Sequence, residues 1–273
     1  MEKDIMDKIQ VHMPFALLRG KFLSMVLSEG INPEIAISHR DLDRCSRDEF
    51  SEVGRTLSRT GRRVTLHAPF VDLRPGAIDP EIRRITRERI SRVLDLAGFF
   101  HPLSVVCHAA FDARYYYSGE ALWLKNCVET FQGFLPRMEA LACPICVENV
   151  YETEPTMLKR LLDEVSSPYL RFCFDTGHCN VFGTVPFGLW IDTLGSYLTE
   201  IHIHDNDGTE DRHLPPGDGG FPFADLFAVL RRRKLAPVVT LETHSLEHFR
   251  KALSALKNMD FPSSLPTGGA PDQ

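Results

Sequence analysis

No apolar run in this sequence approaches the ~18 uninterrupted residues that a membrane-spanning helix needs. Residues 1–8 carry charges of both signs and no apolar stretch of the kind a secretion signal requires. A cationic surplus is also missing: 31 Lys and Arg stand against 37 Asp and Glu, a formal charge of −6 with neutral histidine. Phosphate-backbone binding is carried by clustered Lys and Arg, so duplex DNA is disfavoured as a partner. The one dense basic run, Arg231-Arg-Arg-Lys234, falls at a predicted helix C-terminus, where cations complement the helix dipole. The seven cysteines are odd in number and spread through predicted strands and helices, which suits reduced thiols in a cytoplasm better than a disulfide framework. Cys143-Pro-Ile-Cys146 runs straight into a predicted strand and reads as buried structural thiols. There is no internal repeat. The expectation is a soluble, cytoplasmic chain, and 273 residues with 43% hydrophobic content suffice to bury one full core.

What is present is a regular beat of short apolar runs and helical periods. Strands are predicted over 9–13, 34–37, 64–67, 103–108, 145–149, 170–175, 198–204 and 238–242. Helices are predicted near 21–28 (closed by Gly30), 46–60, 79–97, 118–141, 155–165, 187–194, 223–233 and 246–256. In the third of these, Ile82, Ile85, Ile90, Val93 and Leu94 are expected on a buried stripe. Eight strands alternating with helices is the count of a single (β/α)8 TIM barrel, with a doubly wound sheet as the competing arrangement. Residues 1–259 are assigned to the barrel. Residues 260–273, rich in Pro, Ser and Gly, read as a flexible tail.

The rare chemistry falls at the strand ends. His67, His108, Glu148, Asp175, His204 and Glu242 close strands three to eight in succession. Each can ligate a metal, and in a barrel the C-terminal strand ends converge on one mouth, where active sites are built. The densest stretch is 201–220. There His202 and His204 alternate with Ile201 and Ile203, so both imidazoles share one face, and Asp211 and His213 follow two apart in a loop. Imidazole combined with carboxylate selects zinc, manganese or iron over calcium or magnesium. His178 stands three residues after Asp175. His202, two residues deeper than His204, reads as a lumen group. Asn149 and His244 are candidates for hydrogen bonds that orient the ligands. The turn 217–220 lies where barrels often hold a phosphate, but it reads as a plain turn into the next helix.

The segments His67-Ala-Pro, Val147-Glu148-Asn149, Asp175-Thr-Gly-His178, His202-Ile-His204-Asp-Asn-Asp, Asp211-Arg-His213-Leu-Pro-Pro-Gly and Leu241-Glu242 resemble the xylose isomerase-like TIM-barrel superfamily. That superfamily holds both sugar isomerases or epimerases and the endonuclease IV class of apurinic endonucleases. The resemblance covers strands three to eight; strands one and two contribute little to it. It implies two alternative sites. In tagatose 3-epimerase-like members one divalent ion, often manganese, sits on positions matching Glu148, Asp175, His204 and Glu242, and the two glutamates also move protons. In endonuclease IV-like members three zinc ions use nine ligands, matching His67, His108, Glu148, Asp175, His178, His204, Asp211, His213 and Glu242. One to three zinc or manganese ions per chain are therefore expected. His178, Arg212, Asn149 and Tyr116 are the candidate substrate contacts. Arg74, Arg114 and Arg212 are the only obvious cations near strand-end loops, whereas Tyr115, Tyr116 and Tyr117 suit a sugar ring. The expected activity is a metal-dependent isomerase or epimerase acting on a sugar or sugar phosphate through an enediolate. A zinc phosphoesterase, either an abasic-site endonuclease or a small phosphodiester hydrolase, is the alternative. A non-catalytic metal-bound sensor and a hydroxy-acid dehydratase are more distant readings. Barrels of this class commonly form homodimers.

Overall fold

The computed structural model describes residues 5–259 and 261. Eight parallel strands, β1 (Ile9–Pro14), β2 (Pro33–Ala36), β3 (Thr65–His67), β4 (Val105–His108), β5 (Ile145–Glu148), β6 (Leu170–Asp175), β7 (Leu198–Ile203) and β8 (Val238–Leu241), pair in chain order. β8 returns to β1, with Val11 beside Leu241, and closes the barrel. The closure excludes the doubly wound arrangement, which leaves two open edges.

The strands read as buried on both faces because each lies between lumen and helices. Their outward residues, such as Ile9, Ile35, Leu66, Val105, Ile145, Phe172, Phe174 and Ile201, join the helices' apolar stripes in one large core. The helix Arg47–Arg59 contributes Phe50, Val53 and Leu57 at helical spacing. The inward faces differ. The lumen's apolar content is a small separate cluster of Val106, Cys146 and Cys173. Around and above it stand Glu34, Thr65, Glu200, His202 and Thr240, all fully buried. Barrel lumens are commonly filled by branched aliphatic side chains; this one is filled largely by ionisable groups.

Several local expectations need correction. In the helix Pro80–Phe100 the stripe begins at Thr86 and Ile90, while Ile82 and Ile85 are more than 40% exposed because the first turns run past the core. The 118–141 segment divides into Glu120–Gln132 and Leu135–Leu141, broken at Gly133 and Phe134. The first helical region starts earlier, at Phe15, with a π turn over Leu18–Phe22 before Leu23–Glu29, and it ends at Gly30 with φ +73°. A short helix, Thr176–Phe182, follows β6 directly where no helix was expected. All seven cysteines are free, and Cys143 and Cys146 are buried, with burial pushing the Cys143 thiol up to about 12. Among the described residues no helix is long and apolar enough to cross a membrane. The predicted tail lies outside the described residues except for Phe261, whose ring meets Phe227 edge-on at 5.5 Å.

Candidate metal and active site

The C-terminal strand ends carry the constellation. Glu148 closes β5 at the centre of one half of it, with its Oε2 3.2 Å from His67 Nε2 and 3.1 Å from His108 Nε2. Its Oε1 is 2.9 Å from His178 Nδ1. Asp175 closes β6 and caps the helix Thr176–Phe182 by accepting from the His178 N–H at 2.6 Å, which fixes His178 over the mouth. Its other oxygen is 3.0 Å from His204 Nε2. Glu242, just past β8, approaches His204 Nε2 at 3.7 Å and His213 Nε2 at 3.3 Å. Asp211 lies 3.3 Å from His178 Nε2 and 3.6 Å from both His204 Nδ1 and His213 Nδ1. The nine predicted positions thus meet at one mouth, over a cavity of about 290 Å³.

The chemistry of these donors fits a divalent cation. Among them, His67–His108–Glu148, Asp175–His178–His204 and His204–His213–Glu242 each gather their ligand atoms within 4.8 Å. The tautomers point the same way. His67 Nδ1 lies 2.9 Å from the Ala68 carbonyl and His178 Nδ1 3.1 Å from the Asn149 carbonyl. An N–H donated to a backbone carbonyl leaves Nε2 as a lone pair, the usual arrangement of a metal-ligating histidine. In a neutral ring that lone pair faces a carboxylate oxygen, which is repulsive unless a proton or a cation lies between. The Nδ1 atoms of His202 and His204 and the Oδ1 of Asp211 are buried without a hydrogen-bond partner. Buried polar atoms seldom go unpaired; a cation in the mouth would satisfy those of His204 and Asp211, and His202 Nδ1 lies 3.3 Å from Glu242 Oε1.

In the metal-free chain, protons do this work. Burial opposes ionisation of Glu148 and Glu242, but His108 and His202 beside the first, and His12 and His202 beside the second, hold both well below the usual carboxylate range. Burial likewise opposes protonation of His178 and His213, and the carboxylates of Asp175 and Glu242 respectively outweigh it and raise both rings. His108 is lowered, because burial there exceeds the pull of Glu148. A cation entering the mouth would displace these protons.

The loop after β7 is built to present Asp211 and His213. Asp205 and Leu214 exchange backbone hydrogen bonds at 2.8 Å. The Asp205 carboxylate then accepts from the N–H groups of Asn206, Gly217, Gly219 and Phe221 at 2.9–3.0 Å. The amides that a phosphate would use are therefore occupied by the chain's own carboxylate. A Cβ on Gly219 would lie 2.2 Å from the Asn206 carbonyl, and one on Gly177 would lie 2.0 Å from the His204 ring. Both glycines are dictated by close approach. His213 takes φ +50°, the left-handed region, and its ring stacks on His204 at 3.9 Å.

The candidate substrate contacts separate. His178 lines the cavity. Tyr116 does not: it is 2% exposed and packs with Phe111 and Trp123, because of three successive tyrosines only the outer two, Tyr115 and Tyr117, face solvent. Arg212 points away from the mouth to Asp207 and Glu210 at 3.4 and 3.2 Å. The Asn149 side chain is used on the Asp175 backbone, accepting at 2.9 Å and donating at 3.0 Å, so it fixes a strand end. His244 stacks on His213 at 4.2 Å. His202 lies in the lumen. Two residues went unread in the sequence, His12 and Glu34. His12 Nδ1 is 3.0 Å from Glu242 and 2.8 Å from Glu34, so β1 and β2 also border the site. The alternation of Gln10 and His12 with Ile9, Val11 and Met13 already placed His12 on the lumen face.

The comparisons agree with this architecture. The sequence pattern of the family described as xylose isomerase-like TIM barrel matches residues 30–259. An uncharacterized protein of Methanocaldococcus jannaschii, MJ1311, is 26% identical over 201 residues, covering 71% of this chain and 69% of its own. A solved structure of a D-tagatose 3-epimerase-like protein superposes with a TM-score of 0.76 at 22% identity, covering 92% of this chain and 96% of that one. The TTHB071 protein from Thermus thermophilus, solved after soaking with ZnCl2, gives 0.76 at 24% identity, covering 92% and 97%. The E. coli 3-keto-D-glucoside 4-epimerase YcjR gives 0.72 at 17%, covering 92% and 98%. At these identities the structural likeness is one of fold. With the family pattern spanning β2 to the last helix, the chain belongs to the xylose isomerase-like TIM barrel family.

Proposed function

We propose that this protein is a divalent-metal-dependent isomerase or epimerase of a sugar. The observation that carries the reading is the pair Glu148 and Glu242. Both are buried, both line the mouth cavity, and both flank the same imidazole, with His202 Nδ1 at 3.7 Å from one and 3.3 Å from the other. Two carboxylates on one small cavity suit removal of a carbon-bound proton on one side and its return on the other. Glu148, Asp175, His204 and Glu242 would hold the ion, which as a Lewis acid would acidify the proton next to a chelated carbonyl and stabilise the enediolate. His108 and His178 would position hydroxyl groups. Phe70, stacked on His108 at 4.5 Å, would cover the apolar face of the sugar. A free sugar is preferred to a sugar phosphate because Asp205 fills the amide turn after β7. The epimerase neighbours support the same class of substrate.

One observation favours a second reading. His67, His108, His178, Asp211 and His213 exceed what one ion needs and complete the nine-ligand set, which supports zinc-dependent phosphodiester hydrolysis. Elemental analysis of the purified chain separates the two. One ion per chain, followed by turnover of a ketose panel that Glu148→Gln abolishes, is the expected result. Two or three zinc ions with turnover of a phosphodiester would replace the first reading by the second. A fully active Glu148→Gln enzyme would remove Glu148 from the mechanism.

A further inference from the structure

The geometry points to Glu34 as a positioning residue for Glu242, acting through His12 and His202 on the β1–β2 side of the mouth. The inference rests on Glu242 being a metal ligand, as proposed above. The two oxygens of Glu242 have different surroundings. Oε2 faces the constellation, 3.3 Å from His213 Nε2 and 3.7 Å from His204 Nε2. Oε1 faces the opposite way, 3.0 Å from His12 Nδ1 and 3.3 Å from His202 Nδ1. The same two imidazoles reach Glu34: His12 Nδ1 lies 2.8 Å from its Oε1, and His202 Nε2 lies 3.2 Å from its Oε2. Carboxylate, imidazole, carboxylate and imidazole thus close a ring that ties β2 and β1 to β7 and the end of β8. Thr65 donates to Glu34 Oε2 at 3.3 Å and completes its surroundings.

Glu34 is fully buried, and removing a carboxylate from water costs several kcal/mol unless its partners compensate. A packing role at this height would be met by an aliphatic side chain, so the ring requires another reason. His12, Glu34 and Glu242 lie close enough to hold an ion of their own, but His202 is placed to join two carboxylates and not to ligate one ion. His202 turns Nε2 to Glu34 and Nδ1 to Glu242, and one ring cannot aim both nitrogens at one ion. It bridges. The effect is to hold Glu242 Oε1 between two imidazoles of fixed direction, leaving Oε2 aimed into the mouth. Groups that orient a ligand in this way typically govern metal affinity by ~10–100-fold.

The test is calorimetric titration of chelator-stripped protein with Mn2+, well below the thermal midpoint, for the unsubstituted chain, Glu34→Gln and His12→Gln. The expected result is an unchanged number of ions per chain, bound ~10–100-fold more weakly by both variants. A residue that only supports the fold would move the thermal midpoint and leave native-state affinity alone. Affinity unchanged to within about twofold would overturn the inference. So would loss of one ion per chain in Glu34→Gln, because Glu34 would then be a ligand itself. Should Glu34→Gln fail to fold, His12→Gln decides alone, since His12 sits at the mouth with 21% of its side chain exposed. No Mn2+ binding by the unsubstituted chain would remove the metal reading along with this one, whereas equal binding by all three removes only this one.

Discussion

Asp205→Asn is nearly isosteric, yet it should damage this protein as much as Asp205→Ala. Each carboxylate oxygen accepts twice: Oδ1 from the Asn206 and Phe221 N–H groups, Oδ2 from those of Gly217 and Gly219. Whichever way an asparagine turns, its NH2 group meets two N–H donors and two hydrogen bonds become repulsive contacts. A hydrogen bond to a charged group is worth ~1.5–3 kcal/mol, so losing two costs about 3–6 kcal/mol, with the two remaining bonds also weakened by loss of charge. The site is fully buried, so water cannot replace the lost acceptor. Urea denaturation of the metal-free variant should report that loss. Because the same loop presents Asp211 and His213, the variant should also bind fewer ions per chain. A loss of stability below about 1 kcal/mol would show that the turn holds without its carboxylate, and the amide site would again be open to a phosphate.

Gly177→Ala would place a methyl group 2.0 Å from the His204 ring, so His204 must turn out of line; Mn2+ affinity should fall at least ~10-fold, and an unchanged dissociation constant would show that His204 is not a ligand. His213→Ala should lower the ion count of a multi-zinc protein by one, measured by elemental analysis, and an unchanged count would reduce His213 and Asp211 to structural or substrate contacts. The metal-free chain should lose stability between pH 7 and 10. Burial opposes protonation of His12, but Glu242 and then Glu34 push it up to about 10, so its contribution is complete below its ordinary value of about 6.5 and is lost as pH rises through 10. Glu200, pushed up to about 8 by burial and by the charge of Glu34, works in the same direction, since folding favours its protonated form. A flat or rising urea midpoint across that range would refute the ion-pair account.

Six of the nine ligand positions were legible because each closes a predicted strand, and in β6 and β7 the period of two is also plain. Phe172 and Phe174 against Cys173 and Asp175, or Ile201 and Ile203 against His202 and His204, assign a face to every residue. Three kinds of feature were not legible. Glu34 follows Pro33 in a four-residue strand with no polar alternation, so nothing local marks it as a lumen group. Tyr116 could not be told from Tyr115 and Tyr117, because in a turn adjacent residues share no fixed period. Asp205 sat among Asn206, Asp207 and Gly208 as one more turn former, and its four amide partners come from a loop whose path depends on the closed barrel.

The placement of ionisable groups also divides the molecule by task. A lumen holding Glu34, Glu200 and His202, with Val106, Cys146 and Cys173 as its apolar cluster among the described residues, contributes little hydrophobic stabilisation. Burial of Glu200 is made tolerable by hydrogen bonds from Ser104 at 2.5 Å and Thr240 at 2.8 Å and by its remaining protonated. Stability must therefore reside between strands and helices, where Trp123, Trp190, Phe131 and Phe227 are fully buried. Truncating a large side chain there, at ~3–5 kcal/mol for an aromatic residue, should lower the melting temperature without altering native-state metal affinity. Conservative changes at Glu34 and His12 should instead lower native-state metal affinity. The two layers share a backbone and little else, which lets the mouth carry a dense, partly unpaired set of donors on a scaffold whose hydrophobic core lies outside it.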